Sequence, residues 1–219
     1  MGYGFALEVW GDYGLFSRPE FKVERVSYDI ITPSAARGII ESIYWKPAIR
    51  YVIDRIHVYN EPIFTNIRRN EVSEKIMASN IKRLMEGNEN AKGYLVSGES
   101  IQQRASLILK NIRYVLEFHF EMTDKAGESD TKEKHYNIAL RRMRNGQFYH
   151  MPCFGCREFP ANFRLIEGAV PKSNLLGERD LGFMLYDMDF SNPENIEPIF
   201  FRAIMTNGIV DLTNVELRR

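Results

Sequence analysis

The chain has 219 residues, 44% of them hydrophobic and 26% charged, which is enough to bury the core of one large domain or two small ones. Its 29 Lys and Arg residues balance 29 Asp and Glu residues, which excludes a strongly basic nucleic-acid-binding protein. No run approaches the ~18 apolar residues that a membrane helix needs, and two cysteines cannot build a disulfide framework. We therefore expect a protein of the reducing cytoplasm that has no membrane partner.

The first predicted elements are a strand, a long connection and a helix. Residues 5–9 alternate apolar and other side chains, as in a strand, and residues 10–31 form the connection. Thr32 followed by a proline is typical of a helix start, and the helix should run to about Lys46, where a second proline stops it. Tyr44 then lies in the last turn, at the edge of the buried apolar stripe.

The middle of the chain predicts two strands separated by an insertion. Residues 51–59 are rich in β-forming side chains, and the end of the segment 106–122 alternates apolar and polar positions. Residues 66–105 between them are largely polar and are predicted to be an insertion, with a weakly amphipathic helix over residues 71–86.

A second helix and further strands are predicted in the last part of the chain. The helix should be capped by Asp130, with Glu133 at its third position, and should end near Gly146. The strands are predicted at residues 148–154, at residues 181–190, and in a hairpin over residues 199–212 that turns at Asn207-Gly208.

The order of these elements predicts an α+β fold. Up to about residue 155 the order is the split βαβ, or ferredoxin-like, arrangement that RNA recognition modules also use. We predict a ferredoxin-like domain over residues 1–160 and a small C-terminal antiparallel β-sheet over residues 161–219. In this arrangement the end of the first helix and the start of the second share one edge, so Tyr44 should approach Lys134 and His135.

These three side chains predict metal-free cleavage of RNA, without any cofactor. A helix N-terminus attracts an anion, and Lys134 adds a positive charge that suits a phosphorane-like transition state. His135 can transfer a proton near neutral pH, and Tyr44 could activate or orient the RNA 2′-hydroxyl for attack on its own 3′-phosphate. The sequence leaves open which of Tyr44 and His135 is the base and which is the acid. Taken singly, each of the three has an ordinary structural role as its alternative.

The charged residues are unevenly distributed along the chain. Residues 131–164 hold seven Lys or Arg and two acidic residues, whereas residues 165–200 hold two basic and seven acidic residues. A polyanion would favour the first region. The candidate RNA-binding residues are Lys46, Arg68, Arg69, Arg141, Arg142 and Arg144. A solvated basic surface is the alternative interpretation of these residues.

Cys153 and Cys156 form a single CxxC pair, with His150 nearby. A structural zinc site normally needs four ligands, and the sequence holds no second CxxC pair. We therefore expect ordinary buried thiols and no metal site.

Several runs of residues are distinctive. They are Gly11-Asp-Tyr-Gly-Leu-Phe16, Glu41-Ser-Ile-Tyr-Trp-Lys-Pro47, Phe64-Thr-Asn-Ile-Arg-Arg-Asn70, Lys134-His-Tyr136 and Gly155-Cys-Arg-Glu158. From about residue 5 to residue 210 the sequence resembles the type I-C branch of the fifth CRISPR-associated (Cas) protein family, in the RAMP superfamily.

This resemblance implies a metal-independent endoribonuclease in the cytoplasm of a prokaryote. The implied substrate is the CRISPR repeat transcript, and the implied partners are the crRNA 5′ tag and the other subunits of the type I-C surveillance complex. The family's catalytic tyrosine, lysine and histidine fall on Tyr44, Lys134 and His135. The alternatives are a non-catalytic subunit that holds the crRNA tag, as in other branches of the family, and a protein that contacts DNA nonspecifically.

Overall fold

A computed structural model describes residues 4–21 and 23–219 of the protein. The described residues form ten strands and three helices, in a mixed α/β fold around one large sheet. In chain order the elements are β1 (Gly4–Gly14), β2 (Arg25–Val26), α1 (Pro33–Ile43), β3 (Ile49–Val58), β4 (Ile63–Val72), α2 (Ala78–Met85), β5 (Ile101–Met122), α3 (Lys132–Arg144), β6 (Asn162–Ile166), β7 (Glu178–Asp189), β8 (Glu197–Thr206), β9 (Ile209–Asp211) and β10 (Leu217–Arg218).

The centre of the sheet is the long strand β5, which lies between β1 and β3. The order β6-β1-β5-β3 is antiparallel at every step. The strand predicted at residues 5–9 continues to Gly14, so the first part of the predicted connection is wrong. The absence of a side chain at Gly11 allows this extension, because a Cβ there would lie 2.9 Å from the ring of Phe154.

Helix α1 confirms the predicted start and the predicted apolar stripe. The Thr32 hydroxyl accepts a hydrogen bond from the backbone N–H of Ala35, and the stripe residues are buried. The helix ends at Ile43, three residues before the predicted end at Lys46. Tyr44 is extended, with φ −155° and ψ 125°, and its backbone N–H still donates to the Ile40 carbonyl. Tyr44 therefore follows the helix instead of lying in its last turn.

Helix α3 begins one residue later than predicted. Its capping residue is Thr131, whose hydroxyl accepts from the backbone N–H of Lys134, so the cap predicted at Asp130 is wrong. The side chain of Asp130 is left to bind other groups. The helix ends at Arg144, and Gly146 follows with φ +63°, which confirms the predicted C-terminal region.

The strand predicted at residues 148–154 is absent from the described part of the chain. The backbone N–H groups of Tyr149 and His150 both donate to the Ser42 carbonyl at the end of α1, so they are not available to a strand ladder. The strand that pairs with β1 on the side away from β5 is β6, which comes later in the chain.

The segment predicted as an insertion is an extension of the sheet. Strands β4 and β5 pair from Ile63↔Lys110 to Val72↔Ile101, and α2 lies between them in the chain. The predicted helix over residues 71–86 starts late, at Ala78, because its first residues belong to β4.

The C-terminal strands pack as an antiparallel group beside β3. Strands β7 and β8 pair along most of their length, and the predicted turn at Asn207-Gly208 is confirmed by φ values of +50° and +75°. Strand β9 pairs with β3, so this group continues the main sheet. None of the helices within residues 4–21 and 23–219 has the length and apolar character that crossing a membrane requires.

Candidate active site

Tyr44 and His135 meet where the end of α1 packs beside the start of α3. The Tyr44 hydroxyl lies 2.8 Å from Nδ1 of His135. Both side chains are buried, with Tyr44 4% exposed and His135 1% exposed. The structure thus brings together two residues 91 positions apart in the chain.

Asp130 joins Lys134 and His135 through a single carboxylate oxygen. Its Oδ1 lies 3.0 Å from Nζ of Lys134 and 3.3 Å from Nε2 of His135. The contact with Lys134 is a hydrogen bond, whereas the contact with His135 is electrostatic and not a well-directed hydrogen bond. The Lys134 ammonium also donates to the Ser129 carbonyl, so the loop before α3 fixes its position.

Burial determines the protonation states of His135 and Tyr44. Burial lowers the pKa of His135 from its ordinary value of 6.5; the Asp130 carboxylate opposes this shift, and the charges of Lys134 and Lys46 add to it. Burial also raises the pKa of Tyr44 from 10.0, against the opposing effect of Arg142. At neutral pH we therefore expect a protonated tyrosine that donates to Nδ1 of a neutral histidine. The remaining imidazole proton is then on Nε2, which faces Asp130.

A cleft of about 750 Å³ opens beside Tyr44. The end of α1, the segment after it and the loop after α3 form its walls, which include Trp45, Lys46, Tyr149 and His150. Trp45 is 51% exposed and Tyr149 is 74% exposed. Exposed aromatic rings beside a cationic side chain can stack on unpaired bases and attract a phosphate backbone.

Arg142 lines the cleft and contacts both the end of α1 and Tyr44. One of its terminal N–H groups donates to the Ile43 carbonyl at 2.8 Å, and its guanidinium carbon lies 5.4 Å from the centre of the Tyr44 ring. Arg142 thus satisfies a carbonyl at the end of α1 and holds Tyr44 in place.

The other predicted RNA-binding arginines are dispersed. Arg141 is exposed and makes no ion pair with any described residue, whereas Arg144 donates to Glu167 at 2.8 Å. Arg68 and Arg69 are neighbours on β4, so they point to opposite faces of the sheet. Arg69 forms an ion pair with Glu158 at 2.8 Å.

Sequence reasoning missed three contributions to the site. Asp130 looked like a helix cap, and the shift of the cap by one residue frees its carboxylate for Lys134 and His135. Arg142 was predicted to bind RNA, with a solvated basic surface as the alternative, and His150 looked like a companion of the CxxC pair. The lack of a second CxxC pair was the sequence signal that separated His150 from a metal site.

The two cysteines lie apart from the Tyr44 cleft. Both are free thiols of intermediate exposure, and Cys153 pairs with Pro160 in an isolated β-bridge. Burial raises the pKa of each thiol, so both are protonated and poorly nucleophilic at neutral pH.

Comparison with known proteins places the chain in a family. The model of the family described as CRISPR-associated protein (Cas_Cas5) matches residues 4–213. A protein of Mannheimia succiniciproducens named CRISPR pre-crRNA endoribonuclease Cas5d is 48% identical over 211 residues, which cover 94% of this chain and 93% of the relative. A Thermus thermophilus protein of the same name is 42% identical over 184 residues, which cover 84% of this chain and 72% of the relative.

The fold agrees with that of a solved CRISPR-associated protein. The two superimpose with a TM-score of 0.71 at 21% identity, over 100% of this chain and 97% of the other. This agreement concerns the fold alone, while the sequence matches carry the assignment. The chain belongs to the CRISPR-associated protein (Cas_Cas5) family.

Proposed function

We propose that the protein is a metal-independent endoribonuclease that cuts CRISPR repeat transcripts into crRNA. The observation that carries this proposal is the Tyr44–His135 hydrogen bond beside an open cleft, with Lys134 held on the same carboxylate that faces the histidine. The names of the two relatives, both pre-crRNA endoribonucleases, support the same substrate.

The proposed reaction begins with proton transfer through Tyr44. The RNA 2′-hydroxyl gives its proton to the Tyr44 oxygen while Tyr44 gives its own proton to Nδ1 of His135. The 2′-oxygen then attacks the adjacent phosphorus. The imidazolium that forms is stabilised by the Asp130 carboxylate, whose pKa is lowered chiefly by its hydrogen bond from Lys134.

Lys134 completes the proposed reaction on the other side of the phosphorus. Its ammonium group neutralises the charge that builds up on the phosphorane, and it gives a proton to the departing 5′-oxygen. The products are a 2′,3′-cyclic phosphate and a 5′-hydroxyl. Solvent then takes the proton from His135 and returns one to Lys134.

We also propose that the N-terminal part has the ferredoxin-like fold. The antiparallel order β6-β1-β5-β3, with α1 after β1 and α3 after β5, supports it. A division at residue 160 stays a prediction. Because β6 pairs with β1, the boundary that we propose lies after Ile166, with the C-terminal β-strands as a second unit.

Two parts of the surface support the proposed partners. Trp45, Lys46 and Tyr149 line the cleft and would hold RNA there, and Arg141 and Arg68, which form no ion pair with any described residue, would reach phosphates further away. The extension formed by β4, α2 and β5 exposes many large apolar side chains, as expected of a surface that binds other subunits. They include Ile63, Phe64, Val72, Ile76, Met77, Ile81, Leu84, Met85, Tyr94, Val96 and Ile101.

The test is incubation of the purified protein with its cognate repeat RNA in EDTA. We expect cutting at one position of the ribose substrate and none when the scissile nucleotide carries a 2′-deoxyribose. Cutting of the deoxy substrate would refute attack by the 2′-hydroxyl. Tight, salt-dependent binding without cutting would instead identify a subunit that only holds the crRNA tag.

A further inference from the structure

Three arginines surround one carboxylate on the paired strands β4 and β5, beside β2. Arg25 of β2, Arg69 of β4 and Arg104 of β5 lie 3.6, 3.8 and 3.8 Å from the carboxylate oxygens of Glu71. We call these three residues the arginine cluster. Glu158 adds a second acid, 2.8 Å from Arg69. Three guanidinium groups therefore face two carboxylates, and the cluster keeps a net positive charge.

Two members of the cluster repel each other. Arg69 and Arg104 lie directly opposite each other on paired strands, where like charges repel. Their side chains are only 20% and 29% exposed, so solvent screens this repulsion weakly.

Several donors of the cluster are also unpaired. Nε and Nη2 of Arg69 and Nε of Arg104 are buried and have no hydrogen-bond acceptor among the described residues. Their contacts with Glu71 are too long for hydrogen bonds. A buried N–H group that has lost its hydration and gained no acceptor destabilises a fold, so a native protein retains such groups where ordered water or a ligand supplies the acceptor.

We propose that the arginine cluster binds a phosphate group of the RNA backbone, at a site separate from the cleft beside Tyr44. One phosphate offers several oxygens to the planar guanidinium groups, and its charge relieves the repulsion between Arg69 and Arg104. This proposal rests on the proposed function, since the RNA substrate supplies the phosphate.

A groove leads from the Tyr44 cleft toward the cluster. A second cleft, of about 600 Å³, shares Gly38, Ser42 and His150 with the first and extends to Arg157. Arg157 is exposed and precedes Glu158, the partner of Arg69. In this proposal, a strand of RNA that leaves the Tyr44 cleft along this groove passes Arg157 on its way to the arginine cluster.

The experiment compares RNA binding by Arg104→Ala and Arg25→Ala with binding by the wild-type protein. The probe is cognate repeat RNA with a 2′-deoxyribose at the scissile position. We expect each variant to weaken binding about tenfold, because a hydrogen bond to a charged group contributes at least that factor. The slope of log affinity against log salt concentration should fall by about 0.7 for each lost phosphate contact.

Arg202→Ala is the matched control. Arg202 pairs with Asp180 on the C-terminal strands, so its removal changes the net charge equally without touching the cluster. The melting temperature of Arg104→Ala should equal or exceed that of the wild type, and inorganic phosphate should raise the wild-type value more. A lower melting temperature with unchanged RNA affinity would make the cluster structural and overturn the proposal.

The outcomes also separate this proposal from the proposed function. Wild-type protein that binds and cuts the repeat, alongside cluster variants with an unchanged salt slope, would overturn the phosphate site alone. Wild-type protein that neither binds nor cuts the repeat would overturn both.

Discussion

Removal of one oxygen atom from Tyr44 tests the proposed proton path. In Tyr44→Phe the ring keeps its packing, but Nδ1 of His135 loses the hydroxyl 2.8 Å away. The histidine is 1% exposed, so water cannot easily replace that partner. Leaving such a buried nitrogen unpaired costs about 1–3 kcal/mol of unfolding free energy. For a chain of this size, each kcal/mol lowers the melting temperature by about 2–4 °C.

The effect on cleavage should be larger than the effect on stability. A well-placed proton transfer contributes about 10²- to 10⁴-fold to a rate, so we expect Tyr44→Phe to lose about that factor. The assay is single-turnover cleavage of repeat RNA with protein in excess, beside the dissociation constant for the 2′-deoxy substrate. We expect that dissociation constant to change by less than about threefold, since a neutral hydroxyl contributes little net affinity.

Tyr51→Phe is the matched control for this variant. Tyr51 is also buried, burial strongly raises its pKa, and its hydroxyl has no hydrogen-bond partner among the described residues. Its loss should leave the cleavage rate unchanged and the melting temperature equal or higher. Equal rates for Tyr44→Phe and the wild type, with intact binding, would refute the proton path through Tyr44.

Three further predictions follow from pKa, charge and backbone geometry. Burial lowers the pKa of His135 below 6.5, so the unfolded chain binds a proton at this histidine more readily than the folded chain does. The unfolding free energy should therefore fall as the pH drops below about 6.5. His135→Gln should reduce this pH dependence in denaturant titrations. As the pH is lowered, the cleavage rate should stay constant down to pH 6.5 and should decrease only below it. A rate that already decreases before the pH has fallen to 6.5 would contradict the lowered pKa of His135. Lys134→Ala should lower the single-turnover rate about 10²-fold with little loss of binding, and the reverse pattern would make Lys134 an RNA contact. Gly155→Ala should lower the unfolding free energy by more than about 2 kcal/mol in denaturant titrations, because Gly155 has φ +82° and a Cβ there would collide with the Leu15 carbonyl oxygen. Gly38→Ala, in open space on α1, should be neutral or stabilising.

Helices α1 and α3 were predictable from local signals, and the meeting of Tyr44 with His135 was predictable from the order of the elements. A Thr-Pro start and an apolar stripe specify α1, and its place between β1 and β3, on either side of β5, brings its end beside α3. The strand at β6 was not predictable in this way. Residues 148–154 look like a strand by composition, but the backbone of Tyr149 and His150 is bound to Ser42, a contact with a residue more than 100 positions earlier.

The paired strands of the β4–β5 extension were not predicted, for a related reason. Strand β4 is largely polar, and polar residues suggest a loop when the partner strand is unknown. Its ten residue pairs with β5 provide the hydrogen bonds that keep it extended. The arginine cluster could not be predicted for the same reason, since it depends on the register that sets Arg69 opposite Arg104.

In the proposed reaction, the order of burial decides between the roles that the sequence left open for Tyr44 and His135. Tyr44 lines the cleft, whereas His135 lies behind it and reaches the cleft only through the shared hydrogen bond. A histidine in this position cannot take a proton from the RNA directly, so the tyrosine must be the group that touches the 2′-hydroxyl. Because burial lowers the histidine pKa, the imidazole stays neutral and able to accept that proton at neutral pH, and Asp130 stabilises the charge it then carries. The burial that makes His135 look like a core residue is therefore what suits it to act as the base of the proposed reaction.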